Sequence, residues 1–213
     1  MRIPVHIINR YSRSERRASI LKEFADKPLF DLTIHEPIYH PIGSYSHWKT
    51  FRQIIMDCKN EKVTYFVFCE DDHTFTEHFS ESTIIPYIQT ADRYHADILL
   101  GGVSWFDFPI QCTENLFYVE QFNGMQFSVI FSSAFDKILA HADSEEIVTD
   151  ICLSHILNNI FVIWPFISIQ KEFGYSDITS SNSIPNRVSY LFQKASRELS
   201  ILNKVNFFYN DGE

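Results

Sequence analysis

The sequence predicts an α/β domain in which helices flank a mixed, mostly parallel sheet. Two observations point there. Short apolar, β-rich runs alternate along the chain with segments whose apolar residues recur at helical spacing. The chain has 213 residues, 45% hydrophobic and 21% charged, which is ordinary for a globular protein and too apolar for a disordered one. That length favours one large domain over two small ones.

The elements follow in order. Val5 to Ile8 is a short buried strand, and Ser14 is a candidate N-cap for a helix carrying Ile20, Leu21 and Phe24 on one face. Thr33 to Ile38 is a second strand. Ser46 is placed to cap a helix with Trp48, Phe51, Ile54, Ile55 and Cys58 at helical spacing. Val63 to Cys69 is the strongest strand in the chain. A mixed segment around Ile84 and Ile88 contains Pro86, which suits only the start of a helix. Asp97 opens a strand ending at Gly101-Gly102. Phe127 to Phe131 is a strand, Ala134 to Ala142 and Asp150 to Leu157 are helices, Phe161 to Trp164 is extended, and Arg187 to Asn203 is helical.

Charge and cysteine usage exclude several classes. The net charge is −9, and a general nucleic-acid binder would need a basic face, so nucleic acid is not expected as a partner. The first 22 residues run the other way, with six cations and one anion. Such a segment can hold a small anion or can be a solvated helix face. The four cysteines are widely spaced, with no C-x-x-C, so buried free thiols are expected. There is no secretory pattern and no run near the ~20 apolar residues of a membrane span, so the expected location is cytoplasmic.

Chemistry concentrates where the strongest strand ends, at Glu70-Asp71-Asp72. In open α/β sheets ligands bind beyond the carboxyl ends of the strands. Three adjacent carboxylates repel unless a cation or solvent relieves them, and Mn²⁺ or Mg²⁺ would do so. Alternation along a strand would put Glu70 and Asp72 on one side. Asp72 is the first candidate metal ligand, Glu70 the second, and Asp71 a contact to sugar or metal-bound water. An acidic turn is the plainer alternative. Asn9, closing the first strand, can hydrogen-bond a base or ribose. Arg16, at a helix start, can offset a diphosphate. Together these resemble a nucleotide-sugar site.

Ile8-Asn9 followed by a polar run to Glu15-Arg16-Arg17, then Gly43, Ser46-His47 and an amphipathic helix, then a strand ending in Glu70-Asp71-Asp72, then Asp150 opening a helix and a Ser176-Asp177-Ile178 motif, stand in that order. The set resembles glycosyltransferase family 25, the bacterial lipooligosaccharide and lipopolysaccharide glycosyltransferases. It runs from residue 3 to about 180. Arg10 and Tyr11 replace the usual Leu-Asp, His73 replaces an apolar residue, and Val103 to Gly124 matches poorly. The resemblance implies a GT-A-type, Rossmann-like domain over residues 1–180, with residues 181–213 as its C-terminal helical extension. It implies transfer of a hexose, most often galactose from a UDP-sugar, to a glycan or lipid-linked sugar acceptor, with inversion at the anomeric carbon.

The role of Asp150 as catalytic base rests largely on that resemblance, because Asp at a helix start is most often a cap. His47 and Trp105 are candidate acceptor contacts, though packing roles are common for both residue types. Asp177 would approach the donor from a late loop. The segment from Arg187 to Lys204 is basic and amphipathic, with Val188, Leu191, Phe192, Ala195, Leu199 and Leu202 at helical spacing. Such a helix can lie on an anionic membrane at the inner membrane face or pack on the core, and core packing is favoured. Two other classes stay open: a metal-dependent nucleotidyltransferase or phosphohydrolase, and a non-catalytic sugar-nucleotide or glycan-binding module.

Overall fold

A computed structural model describes residues 2–174 and 184–210 of the chain. Its centre is an eight-stranded mixed sheet. The strands are β1 (Ile3–Ile8), β2 (Phe30–His35), β3 (Tyr65–Glu70), β5 (Ile98–Leu100), β7 (Ile110–Thr113), β8 (Leu116–Tyr118), β10 (Phe127–Phe131) and β11 (Ile160–Ile163). Their order is β2-β1-β3-β10-β5-β11-β8-β7. β1, β2 and β3 pair in parallel, as do β5 and β11, while β10 and β8 run against their neighbours. Six of the eight strands therefore point the same way, and the carboxyl ends of β1 and β3 lie side by side, with Ile8 opposite Glu70.

Helices cover both faces. α1 (Ser14–Phe24) and α3 (Glu81–Arg93) pack on one face with Val67 and Cys69 of β3. α2 (Gly43–Asn60), α4 (Ser132–Ala140), α5 (Thr149–Ile156) and α6 (Arg187–Asn210) pack on the other with Phe66 and Phe68. The alternation follows from strand geometry, which sends successive side chains to opposite faces. Both faces of β3 are buried, so its sequence reads as a continuous apolar run. Two small ribbons complete the fold: β4 (His73–Phe75) with β12 (Ser168–Gln170), and β6 (Trp105–Asp107) with β9 (Gln121–Asn123).

Several boundaries differ from the sequence expectation. Arg13, not Ser14, occupies the N-cap position of α1. α2 starts at Gly43, so Ser46 lies inside it, and its hydroxyl donates to the Ile38 carbonyl at 2.6 Å. That bond ties the helix to the extended segment after β2. Pro86 is the sixth residue of α3, where its missing N–H removes one helical hydrogen bond. β2 begins at Phe30 because its register on β1 runs from Ile3. The expected alternative for α6 as a core helix holds: Val188, Phe192, Ala195 and Leu199 are buried in the main apolar cluster.

One close approach explains a glycine. A Cβ on Gly102 would lie 2.1 Å from the Ser168 carbonyl oxygen, so the chain after β5 can pass the start of β12 only without a side chain. Both Ile167 and Ser168 donate their N–H groups to the Gly101 carbonyl there.

Candidate active site

A cleft of about 370 Å³ opens at the carboxyl ends of β1 and β3. Asn9, Arg13, Arg16, His47, Glu70, Asp71, Asp72 and Asp150 all line it. Sequence reasoning placed seven of these eight at a common site, from five separate segments.

The parity of β3 decides which wall each carboxylate meets. Glu70 continues the series Phe66, Phe68 and faces the α2 side. Its carboxylate lies 3.4 Å from His47 Nε2, and Gln170 Nε2 donates to it at 3.2 Å. Asp71 falls on the α1 side. Its carboxylate accepts from Asn9 Nδ2 at 2.9 Å and from Arg16 Nη1 at 2.9 Å. Arg13 Nη1 stands 3.9 Å from the same carboxylate.

Asp72 does not share a side with Glu70. β3 ends at Glu70, and the chain turns, so Asp72 Oδ2 comes within 3.3 Å of the same Arg16 nitrogen. The backbone carbonyl of Asp72 accepts from Lys171 N at 2.7 Å, which holds the turn against the segment after β12. Asp72 Oδ1 is buried without a hydrogen-bond partner. Burial, then the neighbouring Glu70 and Asp71 charges, push the Asp72 carboxyl up to about 8, with Arg16 pulling the other way. A carboxyl under that pressure favours a cation beside it.

Arg16 is 5% exposed and its guanidinium bridges two carboxylates while stacking over Phe173 at 4.7 Å. Its charge goes first to the acidic motif. The sequence expectation of Arg16 as a diphosphate contact is thus joined by an internal role that the residue's spacing did not reveal.

His47 sits between the two acidic groups of the site. Its Nδ1 lies 2.8 Å from Thr149 Oγ1 and its Nε2 faces Glu70. Thr149 opens α5, and the next residue is Asp150. Asp150 Oδ2 accepts from Asn123 Nδ2 at 2.7 Å and from Gly124 N at 3.1 Å, and Oδ1 accepts from Ile151 N at 2.9 Å. Burial raises the Asp150 carboxyl above its usual range, and the Gly124 N–H offsets part of that rise.

Trp105 stands apart from the other candidates: it is not among the residues lining the cleft, and it is 46% exposed on β6. It pairs in register with Asn123 on β9, so it flanks the Asn123–Asp150 contact from outside. Asp177 and the rest of its motif lie outside the described residues. Sequence reasoning missed Asn123, Gly124, Thr149 and Gln170. The Asn-Gly pair was a usable turn signal, since Gly124 has φ of 102°.

Among the described residues, no group of three or more His, Cys, Asp or Glu side chains converges as a metal cage. The donor set fits a hard cation of the kind that takes one or two carboxylates and completes its shell with phosphate and water.

No family model matches the chain, and no curated protein matches it. Solved structures do match in shape. A glycosyltransferase involved in glycosylation of the major capsid of PBCV-1 superposes with a TM-score of 0.52 at 9% identity, over 90% of this chain and 99% of that one. An apo UDP-glucose pyrophosphorylase gives 0.46 at 10% identity, over 90% and 82%. A Bacillus anthracis glucose-1-phosphate thymidylyltransferase, so described provisionally and solved with sucrose, gives 0.45 at 13% identity, over 90% and 74%. The first of these supports a Rossmann-like α/β fold with helices on both sides of the sheet.

Proposed function

We propose that the protein is an inverting glycosyltransferase that moves a hexose, most often galactose in the family it resembles, from a UDP-sugar to a glycan or lipid-linked sugar. One observation carries the reading. A single cleft brings the acidic motif at the end of β3 together with a half-buried, donor-held carboxylate, Asp150, on a different element. Inverting transfer needs those two parts: an electrostatic site for the leaving diphosphate and a base for the attacking hydroxyl.

Each residue then has a task. Asn123 and Gly124 hold Asp150 Oδ2, which leaves Oδ1, with one accepted N–H, to take the proton of an acceptor hydroxyl. The raised pKa of Asp150 makes it a stronger base than an exposed carboxylate. His47 hydrogen-bonds Thr149 and stands 3.4 Å from Glu70, linking the acidic motif to α5. Asn9 and Arg16 hold Asp71, and through it the turn that presents Asp72. Asp72 with Glu70 would hold Mn²⁺ or Mg²⁺, whose chemistry there is neutralisation of the leaving diphosphate. Trp105, beside Asn123 at the rim, is kept as a flanking acceptor contact.

The test is a panel of nucleotide sugars with and without Mn²⁺, read by thermal shift and then by product analysis, because a ligand that binds the native state raises its stability. A UDP-hexose should stabilise the protein, and the product should carry the inverted anomeric configuration. Asp150→Asn should abolish transfer while donor binding persists. Release of pyrophosphate or sugar phosphate instead of glycoside would move the protein to the nucleotidyltransferases or phosphohydrolases. Donor binding with no turnover across an acceptor panel would make it a binding module.

A further inference from the structure

α6 has two apolar stripes. The first, Val188, Phe192, Ala195 and Leu199, is the one that makes the segment read as amphipathic, and the core covers it. The second lies half a turn away. Tyr190, Lys194, Arg197, Ile201, Val205 and Phe208 follow one another at steps of three and four residues, and all are exposed. Tyr190 is 63% exposed and Phe208 77%. Among the described residues, neither apolar core cluster takes in these side chains; Lys194 pairs with Glu198 on the same helix at 3.8 Å, and the Phe208 ring meets Tyr209 edge-on. The helix beneath them is anchored: the Ser196 carbonyl accepts from Trp164 Nε1, and Asn203 Oδ1 accepts from Gln111 Nε2 at 2.6 Å.

The charge on this helix opposes that of the protein. Over residues 187–210 it carries Arg187, Lys194, Arg197 and Lys204 against Glu198 alone, in a chain of net charge −9. A face that alternates cations with aromatic and aliphatic side chains matches the water–lipid boundary. Lys and Arg reach phosphates while their stems and the apolar neighbours sit among acyl chains. A chain of net −9 would be repelled by an anionic surface as a whole. At physiological salt, however, charges beyond about 8 Å are screened, so the local face decides. Among the described residues, no helix is long and apolar enough to cross a membrane, so this is contact with the surface and not insertion across it.

We propose that the outer stripe of α6 docks the protein onto an anionic lipid bilayer. The first turn of the same helix supplies Arg187, Val188 and Leu191 to the wall of the cleft. Docking through α6 therefore sets the cleft at the membrane surface, where a lipid-linked acceptor would present its sugar. That last step rests on the glycan reading above; the docking itself does not.

The experiment is vesicle co-sedimentation of the full chain, with phosphatidylcholine vesicles containing or lacking phosphatidylglycerol, at low and high salt. Binding should require the anionic lipid and weaken with salt. Lys194→Glu with Arg197→Glu should weaken it by roughly thirtyfold or more, at about a fivefold loss per cation removed from an anionic surface. Phe208→Ser should weaken it separately. Unchanged circular dichroism and unchanged donor-induced thermal shift in these variants would show that fold and cleft are intact. Failure of the donor panel with vesicle binding preserved would overturn the enzymatic reading alone. Absence of binding, equal binding to neutral vesicles, or a dimer that Phe208→Ser dissociates would each overturn the docking proposal.

Discussion

Removing Asp71 tests whether its first role is structural. Its carboxylate takes one hydrogen bond from Arg16 and one from Asn9, both at 2.9 Å, and the Arg16 and Asp71 side chains are 6% and 8% exposed. That burial takes the pair out of the surface regime, where ion pairs contribute about 0–1 kcal/mol. Breaking a fully buried pair by deleting one partner costs about 3–5 kcal/mol. Asp72 Oδ2, 3.3 Å from the same Arg16 nitrogen, gives the guanidinium a second partner. Asp71→Asn should therefore fall below that range, at about 2 kcal/mol, by lost charge-assisted hydrogen bonding. Arg16→Met takes from Asp71 and Asp72 the cation that hydrogen-bonds both, with Arg13 left 3.9 Å from Asp71, and should cost about 3 kcal/mol. The two changes act on one contact, so the double variant should lose less than the sum, with a coupling of about 1–2 kcal/mol. Equilibrium urea unfolding followed by circular dichroism measures all three. Single losses under about 0.5 kcal/mol, with strict additivity and a fall in donor affinity, would refute the structural role and return Asp71 to a direct donor contact.

Three further outcomes are expected. Gly102→Ala should destabilise the fold by about 3 kcal/mol or prevent folding, because the new Cβ meets a backbone carbonyl that cannot move aside; near-native urea midpoints would contradict the geometry. Leu199→Ala, at a fully buried position on α6, should cost about 2–5 kcal/mol, whereas the exposed Phe208→Ser should lie within about 0.5 kcal/mol of the parent; thermal or urea unfolding of the pair separates the two faces of the helix. His6 is held near 4 by burial and by the adjacent His35, against 6.5 for a free histidine. Between those values the unfolded chain binds a proton that the folded His6 does not, so stability is lost as pH falls from 6.5 towards 4, and His6→Asn should flatten that slope in urea midpoints measured across the window.

What could be read from the sequence was local and strongly patterned. β3 is apolar on both faces and ends in three carboxylates, so its place in the sheet and the position of the acidic motif follow from residues 65–72 alone. The same holds for β1 with Asn9 directly after it, and for α2 and α6, whose core residues recur at helical spacing. The region between Val103 and Gly124 was not legible. Its strands are three or four residues long, too short for a period to emerge, and only the β7–β8 hairpin is local: β8 is held by β11, and β6 by β9 across the hairpin.

By itself, the sequence determined the fold class, the order of the main elements and the acidic motif with its nearest polar and charged neighbours. Only the tertiary structure decided how those residues are shared out. Arg16 meets Asp71 across 55 positions, Asp150 meets Asn123 across 27, and His47 meets Thr149 across 102. It also decided that the obvious apolar stripe of α6 is core, that a second stripe faces outward, and that Trp105 stands at the rim. The physical reason is one of range. Propensity and periodicity act within a few residues and define elements. Which carboxylate a buried guanidinium satisfies depends on strand parity, on where the turn after Glu70 sends Asp72, and on the packing of helices from both faces of the sheet.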